Sequence, residues 1–142
     1  MRVTLDELVA AASLRIERLS PQDALAARDH GALIVDIRSH ESRARHGVVP
    51  GSLHVPRTVL EWRVDPDSSW RNPNVGGLDS TIVVICDHGY SSVLAAAALV
   101  DLGFERAADV VGGFDAWRAA GLPVVPPRTA PDGELPGLGP PD

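Results

Sequence analysis

The sequence has one cysteine in 142 residues and no lysine. A single cysteine excludes an internal disulfide and any metal site built from several thiolates. The absence of lysine excludes catalysis through a lysine Schiff base. No apolar run approaches the length needed to cross a bilayer, and the N-terminus lacks a basic region followed by an apolar core. We therefore expect a cytoplasmic protein that has no membrane partner.

The charge balance is acidic. All thirteen basic residues are arginine, and nineteen acidic residues give a formal net charge of −6. This balance argues against nucleic acid or an anionic membrane as the main partner. The five histidines lack the paired spacing of a metal site, so we predict no metal and no cofactor. With 44% hydrophobic and 23% charged residues, the composition fits one α/β domain.

The only cysteine follows a run of β-branched residues. Residues 81–85 read Thr-Ile-Val-Val-Ile, a pattern typical of a strand buried on both faces of a parallel sheet. Cys86 ends this strand, and a short loop with Gly89 leads to Ser91 and Ser92, which are suited to cap the next helix. Because a helix N-terminus stabilises a thiolate, we predict a lowered pKa for Cys86 and a role as nucleophile. The alternative is a buried cysteine that acts as a small apolar side chain.

Apolar periodicity divides the rest of the chain into alternating strands and helices. It predicts helices over residues 4–13, 21–29, 39–45, 57–64, 93–102 and 112–121, and strands over 16–19, 32–37, 52–55, 81–85 and 105–111. Such alternation predicts a three-layer α/β sandwich around a mostly parallel sheet of about five strands. We expect residues 1–14 to form a leading helix, 15–125 the domain and 126–142 a Pro- and Gly-rich disordered tail.

Polar side chains stand at the ends of two of these strands. In an α/β sheet the ligand site lies beyond the carboxyl ends of the strands. Asp36 and Arg38 end the second predicted strand, and Cys86 ends the fourth. We therefore expect all three side chains at one edge of the sheet. Phe114 and Trp117 share a helix face at i and i+3, which predicts that Trp117 is buried.

Three stretches around Cys86 resemble signatures of the rhodanese-like domain family. Residues 36–38 read Asp-Ile-Arg and, with Glu41, are similar to the first signature. Residues 47–52 read Gly-Val-Val-Pro-Gly-Ser and resemble the family's Gly-His-Ile-Pro-Gly-Ala turn, with valine in the histidine position. Residues 110–117, followed by Ala-Gly-Leu-Pro-Val, resemble the C-terminal signature. The resemblance spans residues 19–124 and implies the rhodanese-like fold.

The resemblance also implies an activity. The family transfers sulfur: the Cys86 thiolate would take a sulfur atom from a small donor such as thiosulfate, become a persulfide and pass the sulfur to cyanide or a thiol. A protein that carries sulfur is a further possible donor or acceptor. The predicted persulfide-binding loop consists of Asp87, His88, Gly89, Tyr90, Ser91 and Ser92. The predicted supporting residues are Asp36, Arg38 and Arg63.

The loop departs from the family's commoner form. Ser91 stands at the fifth position after the cysteine, where the family usually has arginine. Asp87 lies next to the nucleophile, and a carboxylate within ~4–6 Å opposes ionisation of a thiol. The cation that meets an anionic donor is left open among Arg38, Arg57 and Arg63. For each of them a structural or surface ion pair is the simpler explanation.

Two other functions fit parts of the same pattern. A phosphatase of related fold needs a loop one residue longer and an arginine at the sixth position to clamp phosphate, where this chain has Ser92. A module that binds proteins or relays sulfur, with little activity on thiosulfate, is the second alternative. The presence of Cys86 argues against a purely non-catalytic module.

Overall fold

A five-stranded, all-parallel sheet lies at the centre of the computed structural model, which describes residues 1–128. The elements in chain order are α1 (Leu5–Ser13), β1 (Glu17–Leu19), α2 (Pro21–Asp29), β2 (Leu33–Asp36), α3 (His40–His46), β3 (Leu53–His54), a 3₁₀ turn (Arg57–Val59), α4 (Leu60–Val64), β4 (Ile82–Ile85), α5 (Ser91–Asp101), β5 (Ala107–Val110) and α6 (Gly113–Ala119). The α/β architecture predicted from the sequence is confirmed. Most of the predicted tail, from residue 129 onward, lies outside the described residues.

Local sequence signals set the first helices. Thr4 caps α1 by accepting a hydrogen bond from the Glu7 amide, and the Glu7 carboxylate accepts one from the Thr4 amide, which completes a capping box. Ser20 caps α2, whose first residue is Pro21. Ser39 caps α3 in the same way. These boundaries agree with the sequence to within one residue because each depends on contacts between near neighbours.

The order of the strands places β4 in the middle of the sheet. The order is β1-β5-β4-β2-β3, so β4 pairs with β5 on one side and with β2 on the other. Its residues alternate between the two faces: Ile82 and Val84 enter one core, and Val83 and Ile85 enter the other. This burial on both faces explains the unbroken β-branched run before Cys86.

Helices cover both faces of the sheet. α2 and α6 pack on one face, and α5 with α4 packs on the other. α1 lies against the outer side of α5, where Ala12 contacts Val93 and Ala97. α5 is therefore enclosed between α1 and the sheet, which explains why its sequence is apolar on nearly every side.

The region after β3 differs from the sequence prediction. Residues 57–64, predicted as one helix, form a 3₁₀ turn over Arg57–Val59 followed by α4 over Leu60–Val64. Phe114 and Trp117 are fully buried, as predicted for Trp117, and the Trp117 indole donates to the Pro123 carbonyl at 2.9 Å. Within residues 1–128, no helix has both the length and the apolar character to cross a membrane.

Candidate active site

Cys86 lies at the carboxyl end of the central strand, with its sulfur facing the start of α5. The Gly89 amide donates a hydrogen bond to the sulfur at 3.2 Å. Only 5% of the residue is exposed, so the thiol is largely shielded from water. The loop between Cys86 and α5 therefore curls round the thiol and directs backbone N–H groups at it.

The environment of Cys86 favours the thiolate. Burial is the largest single influence and raises the pKa of the Cys86 thiol. The Ser92 and Ser91 side chains and the Ser92 and Gly89 amides, all close to the sulfur, act in the opposite direction and favour the charged form. Together they outweigh burial, and the pKa of Cys86 is lowered from its ordinary value. This agrees with the sequence argument that a helix N-terminus next to the strand would stabilise the charged sulfur.

Ser91 and Ser92 do not cap α5 as predicted. The N-cap is Tyr90, no side chain caps the helix, and both serines lie in its first turn. The prediction was wrong because the helix begins at Ser91 itself, and the Ser92 hydroxyl donates to Asp109 at 2.8 Å instead. Because no side chain caps α5, its first amide groups are available to sulfur.

Glycines allow the loop to pack directly against the start of α6. A Cβ atom on Gly113 would lie 2.5 Å from the Cys86 carbonyl oxygen and 2.7 Å from the Gly89 and His88 amide nitrogens. Backbone hydrogen bonds join the same two segments, from the Phe114 amide to the Cys86 carbonyl at 2.7 Å and from the Asp115 amide to the Asp87 carbonyl at 3.1 Å. The Gly-Gly-Phe sequence of the C-terminal signature is therefore the surface that supports the cysteine loop.

Asp36 and Arg38 form a buried ion pair beside this support. Arg38 donates from Nε and a terminal nitrogen to Asp36 at 3.0 and 2.8 Å, and the same terminal nitrogen donates to the Gly47 carbonyl at 2.8 Å. Its guanidinium lies 3.8 Å from the centre of the Phe114 ring. The three stretches that resemble family signatures thus meet at Arg38. Its charge is compensated by Asp36, so its observed contacts join segments of the chain.

The other two candidate cations lie beyond β3. Arg57 pairs with Glu61 at 2.8 Å, one turn along the chain. Arg63 is buried and donates to the Trp70 carbonyl at 3.0 Å. It lines an apolar groove of about 670 Å³ in which Trp62 and Trp70 are 58% and 60% exposed. These two tryptophans therefore lie at the rim of the groove and not in the core.

The remaining loop residues lie on the outer side of the site. The His88 Nδ1 atom is 2.6 Å from the Asp115 carboxylate, and both side chains are at least half exposed. Tyr90 is 75% exposed, whereas Asp87, next to the nucleophile, is half-buried.

His54 lies away from this loop. Its buried ring donates from Nε2 to the Arg38 carbonyl at 2.7 Å, and burial lowers its pKa to about 4.

Two charged residues beside the loop, Arg18 and Asp109, were not predicted from the sequence. Arg18 on β1 donates from Nε to one Asp109 carboxylate oxygen at 2.9 Å, and from a terminal nitrogen to the other at 3.0 Å. The same terminal nitrogen donates to the Gly89 carbonyl at 2.9 Å. Arg18 is the last residue but one of its predicted strand, and β1 pairs with β5 in a register that puts Arg18 beside Asp109. Arg18 could therefore have been selected as Asp36 was, from its place near the carboxyl end of a strand, whereas Asp109 lies further inside its predicted strand.

Comparison with known proteins points to the same family as the sequence motifs. The family model for the rhodanese-like domain matches residues 20–120. Thiosulfate sulfurtransferase GlpE of Pseudomonas entomophila is 38% identical over 104 residues, which cover 72% of this chain and 85% of the relative. The GlpE protein of Stutzerimonas stutzeri is 40% identical over 102 residues, covering 72% and 84%.

Solved structures show the same fold. A protein of Rhodopseudomonas palustris, described as of unknown function and a possible tyrosine phosphatase, superimposes with a TM-score of 0.80 at 35% identity, covering 88% of this chain and 96% of its own. The polysulfide-sulfur transferase of Wolinella succinogenes has a TM-score of 0.67 at 26% identity, covering 82% and 83%. Since the family model spans most of the chain and the GlpE relatives exceed 30% identity, the chain belongs to the rhodanese-like domain family.

Proposed function

We propose that this protein is a thiosulfate sulfurtransferase that carries sulfur as a persulfide on Cys86. The observation that supports this most directly is the Cys86 sulfur itself, which is buried and faces the Gly89 amide at the uncapped N-terminus of α5. Such an environment stabilises a negative charge on sulfur without any cationic side chain in the loop. The GlpE relatives, which bear the name thiosulfate sulfurtransferase, support the same substrate.

The reaction follows from the thiolate. The Cys86 sulfur attacks the outer sulfur of thiosulfate, a new sulfur–sulfur bond forms, and the old one breaks with its electron pair leaving on sulfite. The product is a Cys86 persulfide, whose charged outer sulfur stays within reach of the loop amides. Cyanide or a thiolate then attacks that outer sulfur and leaves with it, and the Cys86 thiolate is restored. No electrons or protons are gained or lost overall, so the cycle needs no cofactor.

A phosphatase reaction fits the loop less well, although one structural neighbour is described as a possible phosphatase. Phosphate transfer from a dianionic ester needs a cationic clamp for the phosphoryl oxygens. The sixth position after Cys86 holds Ser92, whose hydroxyl is already engaged by Asp109. Residues 87–92 contain no arginine and include Asp87. We therefore expect no turnover of an aryl phosphate such as p-nitrophenyl phosphate.

A steady-state assay with thiosulfate and cyanide tests the proposal. Double-reciprocal plots at several cyanide concentrations should be parallel, because sulfite leaves before cyanide reacts. Cys86→Ser should abolish thiocyanate formation while its thermal unfolding stays within a few degrees of the wild type. Intersecting lines, or a folded Cys86→Ser variant that still turns over, would contradict the covalent mechanism. A reducing compartment suits this chemistry because the single thiol must remain free.

A further inference from the structure

A chain of hydrogen bonds connects β1 to the Cys86 loop. Arg18 is held by both oxygens of Asp109 and by the Gly89 carbonyl, and Ser92 donates to the same Asp109 carboxylate. The Gly89 amide in turn donates to the Cys86 sulfur. One guanidinium therefore contacts the loop directly at Gly89 and, through Asp109, at Ser92.

Arg18 also holds the carboxylate that anchors Ser92. The Ser92 hydroxyl donates its one proton to Asp109 at 2.8 Å. Asp109 is completely buried, and a buried carboxylate is costly without a cation. Because Arg18 donates to both oxygens of Asp109, it keeps this carboxylate in place as the acceptor for Ser92, the second residue of α5.

The contact with Gly89 fixes the turn of the loop. Gly89 has a φ of +83°, and a Cβ atom there would lie 2.6 Å from the Gly112 amide nitrogen. The loop is thus pressed against the start of α6 on one side and bonded to Arg18 on the other. With its carbonyl held by Arg18, Gly89 keeps its own amide directed at the sulfur.

We propose that Arg18 is a positioning residue of this enzyme, which holds the Gly89 carbonyl and Asp109 so that the Gly89 amide faces the Cys86 sulfur and Ser92 stays anchored at the start of α5. This inference rests on the proposed sulfur-transfer function of Cys86. Arg18 reaches the loop through its hydrogen bond to the Gly89 carbonyl, and the Gly89 amide reaches the sulfur. We therefore assign Arg18 an effect on the shape of the loop.

Other charged or titratable groups lie on the elements around the same thiol, and Arg18→Gln leaves all of them unchanged. They are Asp36 at the end of β2 and Arg38 after it, Asp87, His88 and Tyr90 in the loop, Asp109 on β5 and Asp115 on α6. Only the double variant Arg18→Gln/Asp109→Asn changes one of them, Asp109. Because the chain has a single cysteine, alkylation of a thiol reports on Cys86 alone.

The test measures the rate of alkylation of Cys86 by iodoacetamide from pH 5 to 10 in wild type, Arg18→Gln and Arg28→Gln. Arg28 is the matched control: it also donates to a carbonyl, that of Pro50 at 2.8 Å, and pairs with an aspartate, and its side chain is 27% exposed against 33% for Arg18. It lies on α2, away from the loop.

We expect Arg18→Gln to shift the alkylation profile to higher pH and to slow alkylation at pH 7 by about two- to tenfold, the effect of losing about one hydrogen bond to the sulfur. Arg28→Gln should follow the wild-type profile. If Arg18→Gln unfolds because Asp109 loses its cation, the double variant Arg18→Gln/Asp109→Asn removes that buried charge and should fold with its profile still shifted. A profile that coincides with wild type in a folded Arg18 variant would overturn the proposal.

Mass measurement separates this outcome from failure of the proposed function. If wild type forms no persulfide with thiosulfate but the Arg18→Gln profile is shifted, the positioning role stands and the sulfur-transfer proposal fails. If wild type forms the persulfide and Arg18→Gln and Arg28→Gln have identical profiles, the sulfur-transfer proposal stands and the positioning role of Arg18 fails. A folded Arg18→Lys variant should recover little, because an ammonium group cannot make the planar two-nitrogen contact with the carboxylate.

Discussion

Replacing Gly113 by alanine tests whether the start of α6 shapes the cysteine loop. Gly113 has a φ of +62°, a region that alanine rarely adopts. The added Cβ would also stand 2.5 Å from the Cys86 carbonyl oxygen and 2.7 Å from two loop amide nitrogens. No side chain can rotate away to relieve these contacts, because all three atoms belong to the backbone of the loop.

The expected cost follows from these two effects. Left-handed backbone costs a residue other than glycine about 1–2 kcal/mol. Overpacking of a buried contact adds about 1–3 kcal/mol. We therefore expect Gly113→Ala to lower the free energy of unfolding by about 2–5 kcal/mol, which corresponds to a fall in Tm of about 6–15 °C for a domain of this size. Displacement of the loop should also remove most of the sulfurtransferase activity.

Gly121→Ala is the control, because Gly121 has a φ of +73° but an added Cβ there meets no atom within 4 Å. It should show the backbone cost alone, about 1–2 kcal/mol, and keep wild-type activity. Thermal unfolding and thiocyanate formation in both variants provide the comparison. Equal Tm values with full activity in Gly113→Ala would refute the claim that Gly113 supports the loop.

Two further predictions concern charge. Asp87→Arg should raise kcat/KM for thiosulfate a few-fold at pH 7, since unit charges about 4 Å apart interact by about 1 kcal/mol in water. Glu105→Arg makes the same charge change before β5, at the opposite edge of the sheet, and should leave kcat/KM unchanged. Equal kinetics in the two variants would show that the Asp87 charge does not act on the donor. Burial, followed by repulsion from Arg43, lowers the pKa of His54 to about 4. Between this pKa and the ordinary histidine value of about 6.5, the unfolded chain binds a proton at His54 that the folded chain does not bind. The contribution of neutral His54 to the free energy of unfolding is therefore fully present above about pH 6.5 and falls by about 3 kcal/mol toward pH 4. Urea unfolding at pH 7 and pH 4.5 should show this loss in wild type but less of it in His54→Gln, and parallel losses would contradict it.

The fold was predictable because its signals are local or strongly periodic. The β-branched run before Cys86 predicts a central strand, and the caps at Thr4, Ser20 and Ser39 depend on residues three positions away. The position of Cys86 at the end of that strand follows from the same pattern. These features needed no knowledge of which strands are neighbours.

The parts of the site that were missed depend on contacts between distant segments. Arg18 and Asp109 are 91 positions apart and meet only because β1 pairs with β5 in one register. Ser92 was predicted to be a local cap, but its hydroxyl donates instead to Asp109, a buried carboxylate on β5. The hydrogen-bond partner of a polar side chain cannot be predicted from its neighbours in sequence when the tertiary fold supplies a competing partner.

The most direct measurement is the intact mass of the purified protein before and after incubation with thiosulfate, and again after cyanide is added. Our account predicts an increase of about 32 mass units, one sulfur atom, that cyanide removes and that Cys86→Ser does not acquire. Because the chain has one cysteine, the increase would locate the persulfide at Cys86 without further mapping. No increase with thiosulfate, or an equal increase in Cys86→Ser, would contradict the claim that Cys86 carries the transferred sulfur.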